Sequence, residues 1–114
     1  MPHFALICVD RPDSLALRMA TREAHFAHVA AHPGVIRLAG PFLDEVGAMA
    51  GSLLLIEAPD LAAARAFSAA DPYVLAGLFE RVEIRPWRAT VGSLPPSPSG
   101  ERGGERSETS DGER

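Results

Sequence analysis

A chain of 114 residues has room for one domain of ordinary size, and 46% hydrophobic with 23% charged residues fits a soluble globular protein. A formal net charge of −4 gives no global attraction to nucleic acid or to an anionic membrane. All 11 basic residues are arginine, which excludes lysine Schiff-base chemistry and a phosphate-loop lysine; the single cysteine, Cys8, excludes an intrachain disulfide.

The opening run MPHFALICVD is short, has no basic flank and meets Asp10 and Arg11 at once. It reads as neither a signal peptide nor a membrane span, so a cytoplasmic protein is the expectation. His3–Val9 is rich in β-formers and stops at the turn signal DRPD, which predicts a first strand. Ser14–His32 carries a helical pattern. Asp13 or Ser14 is placed to cap its first turn and Thr21 a second segment, and Phe26, Val29 and Ala30 share one face that the spacing turns toward the core. His32-Pro33-Gly34 stops this helix.

Val35–Gly40 predicts a second strand, closed at Gly40-Pro41, and a loop leads to a third at Ser52–Ala58. Asp60 is the expected N-cap of a helix running to about Ala70, and Asp71-Pro72 opens a further short turn. In the last strand, Arg81–Arg88, Val82 and Ile84 alternate with Glu83 and Arg85. Residues 1–92 thus form the domain, and Ser93–Arg114, rich in Pro, Ser, Gly and charge with only Leu94 as a large apolar residue, is expected to be a disordered tail.

The order β-α-β-β-α-β is that of the ferredoxin-like α+β unit, a four-stranded antiparallel sheet with helices on one face. Two strands, however, are apolar on both faces. Leu53, Leu54, Leu55 and Ile56 are consecutive, and in the first strand Phe4, Leu6 and Cys8 point opposite to Ala5, Ile7 and Val9. Helices cover one face only. At about 25 cal/mol per Å2 of apolar burial, a second copy is the expected cover, giving a homodimer with sheet against sheet and a barrel-like assembly.

Four histidines raise a metal site, with His25, His28 and His32 spaced i, i+3, i+7. No HExxH motif or cysteine pair supports it, so no metal is assigned, and His28 and His32 read as surface or helix-end residues. His25, beside Phe26 and one turn before Val29, is either a partly buried structural histidine or a proton-transfer group opening on a cleft. Asp71 is an N-cap by position, and capping leaves an oxygen free to orient an imidazole. No GxGxxG follows a strand, so no nucleotide cofactor is expected, and Cys8, mid-strand without a neighbouring histidine, is a poor nucleophile.

Three stretches together resemble the YciI-like (YCII-related) family: Arg22-Glu23-Ala24-His25; Ala39-Gly40-Pro41 with Gly51-Ser52; and Asp71-Pro72-Tyr73 through Gly77, followed by Val82–Trp87. Asp13, Ser14, Leu15 and Arg18 match as well, while Glu23, His28 and the tail depart from the family pattern. The resemblance implies the dimeric ferredoxin-like fold and a site built on His25 and Asp71, with Arg22, Ser52 and Tyr73 lining the same pocket and a small-molecule ligand as the partner. It implies no single reaction, although some relatives are lyases that eliminate halide from a chlorinated hydroxyaromatic. The reading is a cofactor-free lyase or isomerase; the alternative is a non-catalytic ligand-binding or interaction module on the same scaffold.

Overall fold

The computed structural model describes residues 1–95, and its elements follow as β1 (His3–Asp10), α1 (Leu15–Ala30), β2 (Ile36–Leu43), β3 (Met49–Glu57), α2 (Leu61–Ala69), α3 (Pro72–Leu75) and β4 (Phe79–Trp87). The strands form one antiparallel sheet in the order β2-β3-β1-β4, which is the ferredoxin-like arrangement. The two strands with unbroken apolar runs, β1 and β3, hold the centre. Their register sets Phe4 opposite Ile56, Leu6 opposite Leu54 and Cys8 opposite Ser52 on the helix-covered face. Phe4, Leu6, Cys8, Leu54 and Ile56, with Ala58 and Ala64, make the core, against which Phe67, Phe79 and Ile84 pack. Each large side chain buried there contributes about 1.5–3 kcal/mol.

Local chemistry fixes the helix starts and strand ends. Asp60 accepts the Ala63 amide at 2.8 Å and caps α2 as expected. Ser14 stands at the N-cap of α1, but its hydroxyl donates to the Pro12 carbonyl instead, and Thr21 caps nothing: its hydroxyl bonds back to the Leu17 carbonyl inside one uninterrupted helix. β2 does not stop at Gly40-Pro41. Pro41 pairs with Ser52 in an edge strand, where a missing amide costs no ladder bond on the open side. β2 and β3 therefore meet in a tight 44–48 turn, whose Asp44 carboxylate accepts the Val46 and Ala48 amides. Gly51 is required here. A Cβ at this position would run into the Cys8 carbonyl and stand 3.1 Å from the Phe42 ring.

The rear of the sheet is apolar over only part of its width. Leu53, Leu55, Ile7 and Ala5 lie half-buried or buried there, and Leu38 and Phe42 of β2 share that face at 51% and 39% exposure. The β4 strip of the same face carries exposed Arg81, Glu83 and Arg85. The expectation of an oily rear face thus holds for β2, β3 and β1 and fails for β4. Of the expected tail, residues 96–114 lie outside the described residues; Pro95 offers its carbonyl to Arg37 of β2, which also pairs with Glu57. Among the described residues no helix is long and apolar enough to cross a membrane.

Candidate active site

Helix α1 faces the sheet with polar groups. Ser14, Arg18 and His25 are buried, with Thr21 and His28 half-buried, at spacings of three and four residues. Three of its large apolar residues, Leu15, Met19 and Phe26, are exposed, Phe26 at 52%, and Ala30 is exposed as well, so the sequence expectation of a core-facing Phe26–Val29–Ala30 stripe is kept only by the half-buried Val29. The face turned toward the sheet is a site wall, and Phe26 stands at its rim.

His25 is 8% exposed and Asp71 5% exposed. Asp71 is the N-cap of α3, with Pro72 at N1, and its Oδ1 accepts the Tyr73 amide at 2.9 Å. The same oxygen lies 3.0 Å from His25 Nδ1. A carboxylate only accepts, so Nδ1 carries a proton here, and in the neutral ring Nε2 keeps the lone pair. Among the described residues Nε2 has no hydrogen-bond partner. The Tyr73 ring stacks on the imidazole, with centroids 4.3 Å apart and planes 17° apart. Carboxylate and ring together fix tautomer and orientation, the function of the acidic member of a dyad. Gly77, at φ 75° just beyond α3, turns the chain so that Arg11 can bond the Gly77 carbonyl and tie this short helix to the end of β1.

A second arrangement lies beside the first. Asp10 ends β1 on the same face as Cys8 and grips Arg18 with two bonds, Nε to Oδ2 at 2.8 Å and Nη2 to Oδ1 at 2.9 Å. Arg18 Nη2 also donates to Ser52 Oγ at 2.9 Å, and its Cζ lies 4.8 Å from the Tyr73 ring centre. Burial works against the Arg18 charge, and the Asp10 carboxylate more than offsets it, so its pKa is raised. Burial likewise raises the Tyr73 phenol, only partly countered by Arg18 and Arg22. The Cys8 thiol is pushed up to about 12 by burial and then by the Asp71 charge, which leaves it protonated and unreactive.

Arg18, Arg22, His25, Phe26, Ser52 and Tyr73 line one cleft of about 250 Å3, whose remaining walls are Ala39, Gly40, Pro41, Met49, Leu53 and Leu54. All five residues singled out from the sequence therefore meet: Arg22, His25, Ser52 and Tyr73 in the wall, and Asp71 behind His25. Arg22 is exposed, lies over the Phe26 ring at 5.1 Å and forms no ion pair among the described residues. Sequence reasoning missed Asp10 altogether and gave Arg18 no role. The signals were there: Arg18 stands seven residues before His25, and Asp10 shares its strand parity with Phe4, Leu6 and Cys8.

The class is thus a ferredoxin-like α+β domain with a buried His–Asp pair opening on a small cleft. Residues 2–88 match the YCII-related domain, and the chain belongs to that family. It is 34% identical over 93 residues to the protein YciI of Escherichia coli O6:H1, a match covering 75% of this chain and 95% of that one, and equally similar to YciI of Shigella flexneri. A Haemophilus influenzae protein is 31% identical over 94 residues, covering 75% and 96%. Among solved structures, the 5-chloro-2-hydroxyhydroquinone dehydrochlorinase of Burkholderia phenoliruptrix AC1100, in complex with 2,5-dihydroxybenzoquinone, superposes with a TM-score of 0.71 at 31% identity, covering 77% of this chain and 95% of that one.

Proposed function

We propose that this protein is a cofactor-free lyase or isomerase that moves a proton on a small hydroxyaromatic molecule, with His25 as the base and acid and Asp71 as the group that holds it. The observation that carries this reading is the 3.0 Å contact between Asp71 and Nδ1 of His25, which lines a cleft with apolar sides and with Arg22, an arginine that forms no ion pair among the described residues. Support also comes from the superposed dehydrochlorinase, a lyase whose substrate is a hydroxyaromatic.

The chemistry follows from the tautomer. Nε2 takes a proton from a ring hydroxyl, and Asp71 stabilises the imidazolium that results. Return of that proton to a ring carbon gives the keto tautomer, an isomerisation. Where that carbon carries a halogen, loss of a second hydroxyl proton to Nε2 turns the oxygen's electron pair into a carbonyl bond, and the halide leaves with the carbon–halogen pair, so that H+ and X− are lost overall. Arg22 draws in an anionic or phenolic ligand, Tyr73 keeps the imidazole in plane, and the apolar walls hold the ring.

Two assays test this. Chloride release from 5-chloro-2-hydroxyhydroquinone and deuterium uptake at the ring carbons of hydroxyhydroquinone in D2O should both exceed the spontaneous rates and be lost in His25→Asn. Equal rates with the wild-type protein, the variant and buffer contradict the reading. Self-association belongs to the same proposal: two copies pair through the exposed Leu38 and Phe42 and the half-buried Leu53 of the rear face. Sedimentation at micromolar concentration should give a species of twice the 12.1 kDa chain mass, reverting toward the monomer in Leu38→Asp. A wild-type monomer at that concentration rejects the pairing.

A further inference from the structure

Of the exposed large apolar residues of α1, Phe26 lines the cleft and Leu15 and Met19 do not. Its ring centre lies 5.7 Å from that of His25, with the planes 52° apart, and the Arg22 guanidinium carbon lies 5.1 Å from the same ring. Guanidinium and ring attract one another, so the cation rests over the rim of the cleft. The sheet side of the cleft offers Pro41, Met49 and Leu53, apolar and without an aromatic ring. A ligand that enters between α1 and the sheet therefore meets Phe26 as the aromatic surface of the rim, and His25 just beyond it. An apolar cavity of about 150 Å3 is enough for benzene, so the cleft of about 250 Å3 takes one ring with its substituents. Arg22 and His25 are three residues apart on the helix, which sets their Cβ atoms about 5–6 Å apart, the scale of a single ring.

We infer that Phe26 is the residue by which this site selects an aromatic ring, and that Arg22, resting on it, takes an anionic substituent separate from the reacting hydroxyl. This rests on the proton-transfer reading, which puts that hydroxyl at His25, and deepens it. The ligand class is narrowed to monocyclic hydroxyaryl carboxylates. A carboxylate is planar like the ring that carries it and accepts two parallel bonds from a guanidinium. Phe26 holds no proton and no charge, so it acts on affinity and not on the proton step. A bound ring covers apolar surface that Phe26 otherwise leaves in water and gains the offset or edge contact that aromatic pairs prefer. The two halves are coupled, because the Phe26 ring is also what places the Arg22 cation.

The test is binding without turnover, followed by NMR titration of the full chain with 3-hydroxybenzoate, its saturated counterpart 3-hydroxycyclohexanecarboxylate and its neutral counterpart 3-hydroxybenzyl alcohol. The wild-type protein should bind 3-hydroxybenzoate most tightly. Phe26→Leu keeps an apolar side chain and removes the ring. It should lower the affinity ratio of 3-hydroxybenzoate to the saturated acid about two- to tenfold, as expected for a lost aromatic pair, and Phe26→Tyr should keep that ratio. Arg22→Gln should lower the ratio of 3-hydroxybenzoate to the neutral alcohol by up to about fivefold at low salt, and much less at about 0.5 M NaCl. In the Phe26→Leu background the Arg22→Gln effect should shrink, since the cation has lost its ring. Both side chains are exposed, so neither substitution disturbs the core. A wild-type protein that binds none of the three probes or all of them alike, an aromatic preference unchanged by Phe26→Leu, or one lost in Phe26→Tyr overturns the inference. Absence of proton transfer in every assay, with the Phe26-dependent preference intact, leaves the inference standing and refutes the catalytic reading alone.

Discussion

His25 and His28 are three residues apart on one helix, and their fates differ. His25 is buried, bonded to Asp71 and stacked on Tyr73. His28 is half-buried against Phe67 at 4.9 Å, and its buried Nε2 has no hydrogen-bond partner among the described residues. The His32 ring bonds the His28 carbonyl through Nδ1. His25 and His28 share residue type and helix, and His32 lies just beyond the helix end. The difference is the carboxylate that α3 delivers, and it lies 46 residues away from His25 in the chain. A site is made by the element packed against the helix, not by the helix pattern.

The sharpest way to break this contrast is turnover. His25→Asn should cost about 10²–10⁴-fold in rate, the usual worth of a general base, while His28→Asn stays within a few-fold. Equal losses would dissolve the distinction. Cys8 extends the contrast to the sheet face behind Asp71. With its thiol pushed up to about 12, alkylation at pH 8 should run about 10³-fold slower in the folded protein than in the unfolded chain, where the thiol is ordinary. Fast labelling of native protein would show that this face is open.

Asp71 carries two roles that substitution separates. Asparagine caps helices as well as aspartate does, so Asp71→Asn should keep the melting behaviour of the wild type while losing the charge behind His25. Asp71→Ala should lose the α3 cap as well, at about 1 kcal/mol by denaturant unfolding. If Asp71→Asn destabilises as much as Asp71→Ala, the charge rather than the cap holds α3. The smallest effect belongs to His28, whose burial lowers its pKa below the ordinary 6.5. Above that value neither state binds the proton. Below it the unfolded chain binds first, so stability falls as pH drops through 6.5 and the loss ends only below the folded value. His28→Gln should flatten this acid slope; an unchanged slope would assign it to other groups.

Much of this was readable in advance, for physical reasons. Strand alternation, the Asp60 cap and the Asp71-Pro72 start are local signals, and local signals fixed the element order and hence the fold. His25, Asp71, Arg22, Ser52 and Tyr73 were reached through short family motifs, and all five meet at one cleft. Three features were not legible. β2 runs through Pro41 because it is an edge strand, which no local signal states. Phe26 faces outward because α1 turns its polar stripe inward, reversing the rule by which apolar periodicity marks the core. The Asp10–Arg18–Ser52 chain joins three elements, and only the register of β1 and β3 shows that they meet.

The central claim is that Asp71 holds the His25 proton on Nδ1 and leaves Nε2 as the reactive nitrogen. Long-range proton–nitrogen correlation NMR of the neutral ring reads this directly. The account requires an Nδ1–H ring in the wild-type protein that loses this preference in Asp71→Asn. An Nε2–H ring in the wild type, or one indifferent to Asp71→Asn, would contradict it.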